Sequence, residues 1–172
     1  MKKLENLELS NSFAKLGADF LQKKLPEPVS SPYLIDSNPA AMQLIGLELS
    51  EVKKNEFLEY FSGNRLLPNS KPLAMAYSGH QFGSYNPRLG DGRGLLLGEV
   101  QDQHNNTLDI HLKGCGPTRF SRGFDGRATI RASIREYLGG EAVHGLGIPT
   151  TRSLAVIGTG ELVHRETPEP GA

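Results

Sequence analysis

The sequence predicts an α+β protein with an antiparallel sheet and a helix packed on it. Two strand-like runs, "GLLLGEVQD" and "TLDIHLK", face each other across the short polar link "QHNN". In the second run Leu108, Ile110 and Leu112 alternate with Asp109, His111 and Lys113, the period of a strand with one face on a core. "RATIRASIREYLGGEAVHGLG" then puts Ile130, Ile134, Tyr137 and Leu138 on one helical face, with Gly147 as a stop. The chain has 172 residues, the length of one domain, and no repeat, low-complexity tract or composition shift divides it.

The remaining elements follow from local signals. Phe13, Leu16, Phe20 and Leu21 recur at helical spacing after the capping serines 10 and 12, which predicts a first helix. "SNPAAMQLIGL" carries a cap at Asn38, a first-turn proline at Pro39 and a stop at Gly46, and "NEFLEYFSG" stops at Gly63, so each reads as a short helix. Residues 1–70 therefore read as a helical N-terminal segment and 71–172 as the sheet-and-helix unit. "LAMAYSG" reads as a strand, "GHQFGSYNP" and "GCGPTRFSRGFDG" as loops. Asp125 stands where it can cap the long helix. Gly139 and Gly140 weaken that helix by about 1 kcal/mol each relative to alanine, so packing must hold it. "RSLAVIG" and "ELVHRE" read as a second hairpin around "TG".

Composition removes several function classes. Lys plus Arg is 19 and Asp plus Glu is 19, so the chain has no net positive charge for non-specific nucleic-acid binding. No apolar run is long enough for a membrane span, and "MKKLENLELSNSF" lacks the apolar stretch of a secretory signal. A single cysteine, Cys115, excludes an internal disulfide and fits a reducing compartment, so the expected location is the cytoplasm. The histidines have no ligand spacing, and no zinc site is expected.

Chemistry concentrates in two Gly- and Arg-rich segments flanking the first hairpin, "LGDGRG" and "LKGCGPTRFSRGFDGR". The plain reading of Gly90, Gly92 and Gly94 is a turn that needs positive φ. The functional reading is a loop whose N–H groups approach an anion while Arg93 holds it. Two such loops at neighbouring strand ends can surround one polyphosphate, with Asp125 and Gly126 adding a helix N-terminus. Asp125 itself repels a phosphate unless a metal or a ribose hydroxyl lies between them. Lys113 reads either as an exposed strand-end lysine or as a phosphate ligand. Glu136 reads as a solvated residue, a partner of Arg131 or Arg135, or the partner of Lys113. The arginines at 127, 131 and 135 read as a solvated stripe. The order of Gly-rich turn, strand, lysine-bearing strand and glutamate-bearing helix is that of a protein-kinase N-lobe.

Three long strings, "AYSGHQFGSYNPRLGDGRGLLLGE", "LKGCGPTRFSRGFDGRATIRASIREYL" and "GIPTTRSLAVIGTGE", closely resemble the selenoprotein O family. The resemblance runs from about Phe13 to the end. It implies a kinase-like fold that binds ATP in a flipped orientation and transfers AMP to Ser, Thr or Tyr hydroxyls of proteins; a related UMP transfer is ascribed to the family. It implies a nucleotide site at Gly90, Gly92, Arg93, Lys113, Asp125 and Gly126, with Glu136 holding Lys113. Family members are longer. The resemblance therefore places the catalytic aspartate and the Mg²⁺ or Mn²⁺ ligands beyond residue 172, in a C-lobe this chain lacks. The expectation is a single N-terminal lobe of a longer protein, inactive alone, with protein substrates as partners. A non-catalytic nucleotide-binding remnant and a conventional phosphotransferase lobe remain as alternatives.

Overall fold

The computed structural model describes residues 1–172 and is an α+β fold built on antiparallel sheets. The largest sheet has five strands: β1 (Leu21–Lys23), β3 (Leu73–Gln81), β5 (Gly94–Gln101) and β6 (Thr107–Lys113) in that order, with β4 (Ser84–Gly90) on the far half of β3. β2 (Tyr33–Ser37) pairs with β7 (Ala155–Gly158), and β8 (Leu162–His164) pairs with β9 (Pro168–Pro170). Three helices complete the fold: α1 (Pro39–Leu44), α2 (Asn55–Phe61) and α3 (Ile130–Gly145). No helix is long and apolar enough to cross a membrane.

The first hairpin forms as its pattern predicts. β6 alternates, with Ile110 buried and Asp109, His111 and Lys113 on the open face. β5 is covered on both sides: Leu95, Leu97 and Val100 enter the main core while Leu96 joins Leu21 and Leu73 in a second cluster. A bulge between Leu96 and Gly98 shifts the phase by one residue. Leu95, Leu97 and Val100 thus share one face, with Val100 opposite Leu108. At the link, Asp102 Oδ1 accepts the His104 and Asn106 N–H groups, and Asn105 takes positive φ.

The predicted helix at residues 13–21 does not form. Its capping serines are taken by Glu99: Ser12 donates both its N–H, at 3.0 Å, and its hydroxyl to Oε1, and Ser10 bonds the Glu99 backbone in both directions. Only a 3₁₀ turn survives at Phe13–Lys15, and Leu21 goes into β1 opposite Met75. Residues 1–70 are thus not purely helical, since they contribute β1 and β2 to the sheets. They also complete the core through the buried Leu4, Leu7 and Leu9. α1 and α2 stand as predicted, the first with Asn38 Oδ1 accepting the Ala40 and Ala41 N–H groups.

Three further expectations are corrected. "GHQFGSYNP" is no loop: β3 runs on to Gln81, turns at Phe82 and Gly83, both at positive φ, and returns as β4. The expected hairpin over residues 152–166 divides between two partners. β7 pairs with β2, where Gly158 leaves room for the Tyr33 ring, and the turn at Gly160 delivers β8 to β9. Finally, Thr129 and not Asp125 caps α3, its Oγ1 accepting the Ala132 N–H at 3.3 Å. The apolar face expected on α3 is present but not buried, with Ile134 and Leu138 exposed.

Candidate functional site

An open cleft of about 1580 Å³ runs between the β4–β6 face, the loop from Gly114 to Arg127, and α3. All the residues singled out from the sequence line it: Gly90, Gly92, Arg93, Lys113, Asp125, Gly126 and Glu136. Eight Lys and Arg side chains line it against four side-chain carboxylates, so a chain with no net charge carries a cationic cleft.

Lys113 ends β6 on its open face, and Glu136 lies in the second turn of α3. The lysine Nζ stands 2.5 Å from both carboxylate oxygens. The side chains are 41% and 53% exposed, so the pair adds little to stability. Its effect is to aim the ammonium. The partners considered for Glu136 on its own helix are not used; Arg131 turns instead to Glu169, with Nε–Oε2 at 3.0 Å and Nη2–Oε1 at 2.8 Å. Arg93 is exposed at the β4–β5 connection and takes no carboxylate partner, while its carbonyl accepts the Gly114 N–H at 2.7 Å.

The glycines have a packing cause. None of Gly90, Gly92 and Gly94 has positive φ, so the expected turn geometry is absent. A Cβ at Gly90 would enter the Phe120 ring, one at Gly92 would meet the Phe120 carbonyl, and one at Gly94 would strike the His111 ring. The second Gly-rich segment thus lies directly on the first. Thr118 Oγ1 donates to the Asp91 carbonyl at 2.5 Å, and Ser121 Oγ donates to the Gly92 carbonyl. Ser121 is buried in this contact. Gly126 has φ +66, and a Cβ there would collide with the Gly116 carbonyl.

Several cleft residues escaped the sequence reading. Arg165 grips Asp125 through both oxygens, at 2.8 and 3.2 Å, and this fork holds the Asp125 carboxyl below its ordinary pKa. Arg127, expected to be solvated, instead donates to the carbonyls of Glu27 (3.2 Å), Pro28 (3.3 Å) and Gly114 (3.5 Å). Asp91 accepts the Met75 N–H at 2.9 Å and lies 3.3 Å from His111 Nε2. No local signal marks these pairs, whose members lie far apart in the chain. Cys115 is buried, and burial pushes its thiol up to about 12, so it is an unreactive packing residue. No group of three or more His, Cys, Asp or Glu side chains is placed to hold a metal ion.

Fold and cleft together define an α+β protein with a cationic cleft in which a strand lysine is aimed by a helix glutamate. Comparison with known proteins makes the assignment particular. The family model described as protein adenylyltransferase SelO matches residues 3–172, and the chain belongs to that family. It is 51% identical over its whole length to the protein nucleotidyltransferase YdiU of Stutzerimonas stutzeri and 52% identical to those of Myxococcus xanthus and Pseudomonas entomophila. In each case it spans 35% of the relative's length.

Proposed function

We propose that the cleft binds ATP as the nucleotide site of a kinase-like N-lobe, in a protein that transfers AMP to Ser, Thr or Tyr hydroxyls of other proteins. The observation that carries this reading is the Lys113–Glu136 pair in a cleft with twice as many cations as carboxylates. A charge-assisted lysine donor and the unpaired fork of Arg93 suit phosphate oxygens. The family description supports adenylyl transfer as the reaction. In that step the acceptor hydroxyl oxygen bonds to the α-phosphorus, the α–β bridging bond breaks, and pyrophosphate leaves. The hydroxyl proton passes to a general base. Lys113 and Arg93 would neutralise and orient the phosphates. We assign the general base and the ligands of a divalent metal, which would screen phosphate charge, to the part of the relatives that this chain does not span. The 172 residues alone are therefore expected to bind ATP weakly at best and to transfer no AMP.

The test uses ATP labelled at either the α or the γ position, with the protein at the full length of its relatives. Label from the α-phosphate should appear on the acceptor protein. Incorporation of γ label alone would assign a conventional phosphotransferase instead. Lys113→Ala should weaken ATP binding by roughly 10- to 100-fold, the effect of one charge-assisted hydrogen bond. Calorimetry showing equal affinities would remove Lys113 from the site.

A further inference from the structure

A cleft that takes phosphate groups should not present a bare carboxylate, yet Asp125 lies in its wall. Arg165 answers that difficulty. It sits in the turn between β8 and β9, lines the cleft as Asp125 does, and forks onto that carboxylate: Nη1 to Oδ2 at 2.8 Å, Nη2 to Oδ1 at 3.2 Å. The same two nitrogens donate to the carbonyls of His164, at 2.6 Å, and Arg127, at 2.9 Å. All four Nη hydrogens are thereby taken, which leaves the Nε–H as the one donor of the guanidinium not engaged by Asp125 or a carbonyl. Asp125 Oδ1 in turn accepts the Arg127 N–H at 2.9 Å, which folds the chain back over the Gly126 turn. The support is firm on both sides. β9 carries Glu169, which forks onto Arg131 of α3, and the strand end bridges Gly171 to Thr129. Arg165 thus arrives on a braced hairpin.

We propose that Arg165 is a positioning residue for the nucleotide's phosphates, an inference that rests on the ATP reading above. It acts through Asp125: the fork cancels a carboxylate charge that would repel the anion and fixes the Asp125–Gly126 turn against the cleft. A forked arginine does this with planar geometry that an ammonium lacks.

The test is ATP titration calorimetry on the protein at the full length of its relatives. The variants are Arg165→Ala, Arg165→Gln, and each combined with Asp125→Asn; thermal unfolding is followed alongside. Either single Arg165 substitution should weaken ATP binding on the order of tenfold or more. Adding Asp125→Asn should restore most of that affinity, because it removes the charge that Arg165 no longer cancels. A purely structural brace would show no such rescue. Should Arg165→Ala fail to fold, the Arg165→Gln pair, closer in size, decides the matter. Wild-type affinity in both single variants would overturn the proposal, and so would double variants no better than the singles. Failure of the ATP reading looks different: the unsubstituted protein would bind no ATP, and both readings would fall together.

Discussion

Gly126 holds φ +66 with the Gly116 carbonyl where a Cβ would stand, so any side chain there strains the backbone and drives two loops apart at once. Gly126→Ala should lose on the order of 2 kcal/mol or more of stability in urea or guanidinium unfolding. Gly46→Ala, which shares positive φ but meets nothing within 4 Å, should lose less. Equal losses would show that the loop contact contributes nothing. Among the cleft residues, some were legible in the sequence and others were not. Gly90, Gly92, Arg93, Lys113, Asp125 and Gly126 fall in two dense segments of unusual composition, and such segments announce themselves. Arg165, Asp91 and Phe120 do their work through partners distant in sequence, and nothing in their immediate neighbours marks them. Composition also misassigned the cause at Gly90 and Gly92: the glycines are there for Phe120 and its backbone.

Strand β5 and helix α3 show how far periodicity reaches at the level of elements. β5 reads as a continuous apolar run and is buried on both faces. α3 shows equally good helical spacing, yet no residue on it is buried. A pattern states which side chains share a face and is silent on what lies against that face. The two elements should respond differently to truncation. Leu95, 0% exposed, should lose about 2–5 kcal/mol as Leu95→Ala, whereas Leu138, 61% exposed, should change by about 0.5 kcal/mol or less as Leu138→Ala. Denaturant midpoints would measure both, and a large loss at Leu138 would mean that α3 packs more tightly than its exposure implies. The failed helix at residues 13–21 has a related cause. Its spacing was sound, but Glu99 on β5 captured the serines that would have capped it.

Three ion pairs join elements of the molecule, two of them across about 40 residues of chain and one between α3 and the segment after it: Asp125 with Arg165, Glu169 with Arg131, and Glu141 with Arg152. In each, the arginine holds the carboxyl below its ordinary pKa. Folded values below the unfolded ones, about 4, mean that protons bind the unfolded chain more readily. The stability from these pairs is present above about pH 4 and is lost as pH falls through the folded values. Unfolding midpoints should therefore drop between about pH 5 and pH 2, and by less in high salt, which already screens the partly exposed pairs. A midpoint independent of pH over that range would contradict their contribution. Local sequence determined the hairpin of β5 and β6, the short helices with their caps, the glycine segments, and the order that brings Lys113 and Glu136 to one cleft. The elements depend on side-chain alternation and capping chemistry within a few residues, and the Lys113–Glu136 approach on the order of neighbouring elements 23 residues apart. Tertiary structure alone decided that β7 pairs with β2, that the N-terminal leucines complete the core, and that Arg165 neutralises Asp125. Such choices are competitions between partners far apart along the chain, and they are settled only when the whole chain is packed.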